Sequence, residues 1–218
     1  MPKVTNVQVF GLDESIYRSG YPMMRQAPSM EEFYLNVKYI QDARLDKHYE
    51  IPAIARAIKL AQLKEGGHDQ FLTGITVTAD ITLSNKCWVE AERYTFLNFI
   101  SSMSTMHRLS SMGIRDCCNE FVRSQMISEV EELQKVYNNI DEHDHPTWKK
   151  RAYLELLYNL PSGFELMAGM ITNYRCLKNI YRQRRNHRLP DWHVFCDWIE
   201  TLPMANELII GKKVEPTE

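Results

Sequence analysis

Between Ile171 and Trp198 the chain reads ITNYRCLKNIYRQRRNHRLPDWHVFCDW, and this run constrains the fold more than any other. Asn173 stands where a helix begins, because its side-chain oxygen can accept a hydrogen bond from an otherwise unpaired first-turn amide. At about 100° per residue, Ile180, Tyr181, Arg184 and Arg188 fall near a buried stripe centred on Leu177. Arg175, Lys178, Arg182 and Arg185 fall on the opposite side, where a solvated face is expected. Arg184 is different: a guanidinium aligned with apolar side chains needs a partner, since unpaired buried charge is costly. An internal carboxylate or the phosphate of a ligand would serve, the latter through the planar fork of the guanidinium. Pro190 then opens a final helix that buries Trp192, Phe195, Ile199 and Leu202.

Upstream, Val4 to Phe10 alternates loosely and ends at Gly11, which predicts an edge strand. Residues 12–28, with Gly20, Pro22 and Pro28, read as a loop. Ser29 and Glu32 form a capping-box pattern ahead of a helix through Phe33, Val37 and Ile40. A second helix starts at Pro52 and runs to a Gly66-Gly67 stop. The β-branched run 75–83, ITVTADITL, predicts a strand. Ser84 caps a helix through Trp88, Ala91, Phe96 and Phe99 that ends in the serine-rich stretch 101–105. Val122, Met126, Val130, Leu133, Tyr137 and Ile140 recur at helical steps. A linker at 141–145 leads to a helix from Thr147 to Tyr158, and 164–172 reads as a strand. The alternation is too sparse for repeated βαβ units, so the expected class is α+β: a mixed or antiparallel sheet with several long helices. One domain over 1–218 is expected, with a strand and helices in 1–65 and the functional region in 66–210.

Composition excludes several functions. The 218 residues carry a net charge of -2, which gives no electrostatic case for nucleic acid. No run of about eighteen apolar residues is present, and the opening MPKVTNVQVF has no signal-peptide core. A cytoplasmic protein without a membrane anchor is expected. The five cysteines form no CxxC pair and no metal-ligand spacing with histidine, which predicts reduced, partly buried thiols. His143 and His145 flank Asp144 in the acidic linker and read as a solvated loop; no HExxH occurs. Gly66-Gly67 is followed by neither a P-loop lysine nor a dinucleotide fingerprint. His68, between that stop and the strand at 75–83, is a loop histidine open to ligand contact. Ser104 and His107 are spaced as neighbours on a helical turn, without a third residue for a hydrolytic triad.

The ordered features resemble the flavin-dependent thymidylate synthases. Asn173-Tyr174-Arg175-Cys176-Leu177 is similar to that family's N-x-R-x-L segment, Asn179 and Arg184 follow at its spacing, and Trp192 stands where it has Ala-Gln-Trp. Gly67-His68-Asp69 lies where it has Gly-His-Glu. The resemblance covers 66–108 and 160–195. It implies that His68, Asn173, Arg175 and Asn179 contact FAD, and that Arg184 contacts the phosphate or base of a pyrimidine deoxynucleotide such as dUMP. It also implies NADPH and methylenetetrahydrofolate as cosubstrates, one-carbon transfer to C5 of the pyrimidine, and a homotetramer. The family's R-H-R-x-x-S-x-N-E-x-S-x-R-Y signature falls at 91–107, which here reads AERYTFLNFISSMSTMH. Ser104 matches, Arg93 is a remnant of the basic cluster, and Met106 and His107 stand where the Arg-Tyr pair is expected; Arg93, Ser104 and His107 are the remaining substrate-binding candidates. Two alternatives stay open: a non-catalytic nucleotide- or flavin-binding member of the same fold, and a helical interaction protein with a basic docking helix.

Overall fold

The structure is a computed structural model that describes residues 2–63 and 67–211. Strand β1 (Lys3–Phe10) leads into helix α1 (Leu12–Arg18), followed by α2 (Met30–Leu45) and α3 (Pro52–Gln62). A short 3-10 turn (Gln70–Gly74) precedes β2 (Thr76–Ser84), α4 (Asn85–Ala91), β3 (Asn98–Ser102) and α5 (Thr105–Arg108). Then come α6 (Ser124–Asn139), α7 (Pro146–Tyr158), β4 (Glu165–Asn173), α8 (Tyr174–Arg184) and α9 (Pro190–Glu200), with a π-helical turn at Asn206–Ile210. The strands form an antiparallel four-stranded sheet in the order β1-β2-β4-β3. The architecture is therefore α+β, as the sequence predicts, with β1 at an edge. In β2 the alternation is clear: Val77, Ala79, Ile81 and Leu83 are buried and the residues between them half-buried, the period-2 pattern of a pleated strand.

Of the described residues, 2–5, 80–95 and 99–170 form one compact unit, and 6–63, 67–79, 96–98 and 171–211 form another. The first is built around Leu109, Ile114, Ile127, Val130, Leu156 and Phe164. Lys149 Nζ donates to the carbonyls of Tyr137 (2.7 Å) and Ile140 (2.8 Å). It thereby satisfies acceptors at the C-terminus of α6, where a cation also suits the helix dipole. Gln134 Nε2 donates to the Leu109 and Met112 carbonyls at 2.7 and 2.8 Å, holding the preceding loop to α6.

In the second unit Ile16, Ile54, Leu72, Ile75, Tyr174, Leu177, Trp192 and Phe195 are fully or almost fully buried. Asp13 and Arg44 form a two-pronged ion pair at 2.6 and 2.8 Å that ties α1 to α2. The Ser29–Glu32 capping box is complete in both directions (2.8 and 3.1 Å). Between β1 and α1, Gly11 has φ +73°, and a Cβ built there would come within 2.6 Å of the Gly74 carbonyl oxygen. A Cβ on Gly74 would meet Ser15 Oγ at 2.5 Å. This corner accepts no side chain at Gly11, for reasons of both space and backbone angle.

Three expectations need correction. Residues 12–18 are helical, not loop: Leu12 and Ile16 are one turn apart and buried, Asp13 and Glu14 lie in the first turn, and Arg18 in the last, the charge order a helix dipole favours. The helix capped by Ser84 stops at Ala91 instead of continuing through Phe99; Asn98–Ser102 is a strand. The helix begun at Pro52 ends at Gln62, and Gly66 lies outside the described residues. The five cysteines are free thiols, with Cys87, Cys176 and Cys196 buried.

Candidate functional site

Helix α8 carries the clearest set of candidates. Asn173 is its N-cap, and its side-chain oxygen accepts from the Cys176 amide at 2.9 Å. Two residues on, Arg175 Nε donates to Asp69 Oδ1 at 3.1 Å and its Nη1 to Gln70 Oε1 at 2.5 Å. Lys178 Nζ donates to Asp69 Oδ2 at 2.8 Å and to the Ala61 carbonyl at 2.5 Å. One carboxylate thus faces two cations, and the cluster keeps a surplus positive charge. Burial pushes the Asp69 carboxyl up, but the Lys178 ammonium, by hydrogen bond and by charge, and Arg175 outweigh it and hold Asp69 below the ordinary aspartate value. His68, next to Asp69, is exposed. Gly67 has φ +65°, and a Cβ there would touch Arg175 Nη2 at 3.9 Å. The bare glycine leaves room beside the guanidinium edge not used by Asp69 and Gln70.

The sequence predicts Lys178 among solvated cations, whereas its side chain is only 12% exposed. The sequence assigns no site role to Lys178 or Asp69. The signal was available, because cations at i and i+3 share a helix face and a pair there calls for a carboxylate. Arg185 is likewise clasped, by Asp197 at 2.5 Å and Glu200 at 3.4 Å on α9. Tyr181 donates to Glu200 at 2.7 Å. Asn179 is exposed one turn after Arg175 on α8, the spacing of neighbours on a helix surface. Arg184 is half-buried, with its Cζ 4.9 Å from the centroid of the Trp192 ring. The face of that buried indole attracts the guanidinium and fixes its position.

The chain is similar in structure to two crystal structures of the flavin-dependent thymidylate synthase ThyX from Helicobacter pylori, each with FAD and dUMP. One gives a TM-score of 0.60 at 14% identity, over 96% of this chain and 97% of that one. The other gives 0.61 at 13%, over 95% and 97%. The fold is thus that of these synthases. No known protein-family profile matches the sequence, and no curated protein is significantly similar to it.

The remaining candidates lie in the first unit. Arg93 is exposed in the turn after α4. Ser104 is the N-cap residue of α5, half-buried, and its hydroxyl makes no capping bond; His107 is exposed on that single turn. The expected Ser104–His107 neighbourhood is therefore a short helix preceded by strand, not the end of a long one. His143 pairs with Asp144 at 3.2 Å in an exposed loop, and the described residues hold no cluster of three or more metal ligands. Burial pushes the Cys118 and Cys196 thiols up to about 11, the opposite of what activates a thiolate. No helix among the described residues is long and apolar enough to cross a membrane.

Proposed function

We propose that this chain is a flavin-dependent thymidylate synthase-like transferase, moving a one-carbon unit to C5 of a pyrimidine deoxynucleotide, dUMP or an analogue. One observation carries the reading: on a fold shared with structures holding FAD and dUMP, α8 presents a surplus-positive cluster beside a bare Gly67 and an exposed His68. An anionic ligand is attracted to such a cluster, and a guanidinium edge next to a glycine admits close approach.

In this reading His68, Asn173, Arg175 and Asn179 hold FAD. Arg175 still has donors to offer after its bonds to Asp69 and Gln70, and Asn173 keeps its amide N–H groups, since the cap uses only the oxygen. Bound FAD would supply the redox chemistry, with NADPH as reductant and methylenetetrahydrofolate as one-carbon donor. Arg184, steadied on Trp192, binds the nucleotide and stabilises the negative charge that a pyrimidine carbonyl acquires when C5 becomes nucleophilic. Arg93, Ser104 and His107 are assigned to the nucleotide as well. The protein is taken to be a cytoplasmic homotetramer.

Purified protein tests this directly. The reading requires a visible flavin spectrum and release of tritium from C5-labelled dUMP when NADPH and methylenetetrahydrofolate are supplied. A specific feature favours a second reading, a flavin- or nucleotide-binding member without this activity. In 91–107 Ser101 and Ser102, where the resembled family has Asn-Glu, lie in β3. Bound flavin with no tritium release selects the second reading, and absence of both flavin and nucleotide binding removes the two together.

A further inference from the structure

A cavity of about 300 Å3 opens between α4, β3 and β4 within the first unit. That volume is at the small end of the roughly 300–1,000 Å3 typical of ligand sites. Its walls are Trp88 and Val89 from α4, Phe99 from β3, Met103, and Leu166 and Met167 from β4. Trp88 is locked in place: its indole N–H donates to the Leu166 carbonyl at 3.0 Å, and its ring meets Phe99 at 5.2 Å and 41°. The only charged residue on the lining is Glu92, the C-cap of α4. Its neighbour Glu90 is held by Lys86 at 2.9 Å, whereas the Glu92 carboxylate has no such partner among the described residues. No lysine, arginine or histidine lines the cavity.

Aromatic faces are negative, thioethers are polarizable, and a carboxylate completes the set. We infer that this cavity binds a small organic cation with a flat apolar body, its ammonium or amidinium group on Glu92 and its ring against Trp88 and Phe99. None of these residues belongs to the nucleotide and flavin set above, so the inference does not depend on that reading. A cation beside an exposed carboxylate is screened by salt, so affinity falls as ionic strength rises.

Benzamidine, benzamide and benzoate share one ring and differ in charge, and titration calorimetry on the full chain separates them. The expected result is saturable binding of benzamidine at least tenfold tighter than benzamide, with benzoate weakest. Glu92→Gln should lower benzamidine affinity at least tenfold. Val89→Trp, at an exposed position on the rim, should abolish binding by filling the space while leaving the urea unfolding midpoint unchanged. Equal affinity for benzamidine and benzamide, no saturable binding, or indifference to both substitutions would overturn the inference. Loss of binding in step with self-association would overturn it too, by assigning the cavity to a second copy of the chain.

Discussion

Asp69 is the residue whose removal tests the charge cluster on α8 most directly. Asp69→Asn leaves Arg175 and the mostly buried Lys178 facing each other without a counter-charge. The expected cost is about 2 kcal/mol, less than for a fully buried pair because Asp69 and Arg175 are partly exposed. The pH dependence has a definite sign. The folded carboxyl titrates below its unfolded value of about 4, so its contribution is complete above that value and fades as pH falls through the lower folded one. The difference in urea midpoint between wild type and Asp69→Asn should therefore shrink towards zero in strong acid. A difference that stays constant down to about pH 2 would show that the carboxylate charge is not the cause. Arg184→Ala gives the opposite partition. The contact with Trp192 accounts for about 0.5–1 kcal/mol of the stability change, while nucleotide affinity should fall at least tenfold, about 1.4 kcal/mol. Unchanged affinity for dUMP would remove Arg184 from the binding site.

Among the elements, α8 carries two roles at one residue, and they can be pulled apart. Asn173→Ala should destabilise by about 1 kcal/mol through loss of the cap, whereas Asn173→Ser keeps a capping oxygen and should cost much less. If the Asn173 amide also holds flavin, the serine variant should fold normally yet bind flavin more weakly; normal flavin content in it would confine Asn173 to capping. This cap was legible in the sequence because Asn173 sits immediately before the periodic run Cys176, Leu177, Ile180, and the Ser29–Glu32 box was legible for the same kind of reason. The failures have physical causes as well. The sequence pattern puts Trp88 and Phe99 on one helix, and they do touch, at 5.2 Å, but across α4 and β3. Apolar spacing identified the contact without specifying the backbone that makes it, an ambiguity inherent to short apolar runs. Helix α1 was hidden because Gly11, Gly20, Pro22 and Pro28 mark turns on either side of only two turns of helix. The Asp69 cluster was half legible: Arg175 and His68 stood out, but the ion pairs that organise them join positions more than a hundred residues apart in the chain.

For the molecule as a whole, 13–14% identity accompanies a shared fold because a fold asks mainly for apolar residues at the right periods, which many sequences supply. Chemistry asks for particular groups, and fold likeness alone does not deliver them. The whole-molecule prediction is accordingly biochemical: protein purified without added cofactor should be yellow, and sedimentation should show a species about four times the chain mass. A colourless monomer that takes up no added FAD would refute both halves of the proposal. A last expectation comes from the corner where Gly11 meets the Gly74 carbonyl. In a saturation library screened only for soluble expression, codon 11 should return glycine almost alone, even though Gly11 is assigned no part in ligand binding. Intolerance at that position would record the crowding of two main chains, and a map of sensitive codons would point to catalysis only after such places had been set aside.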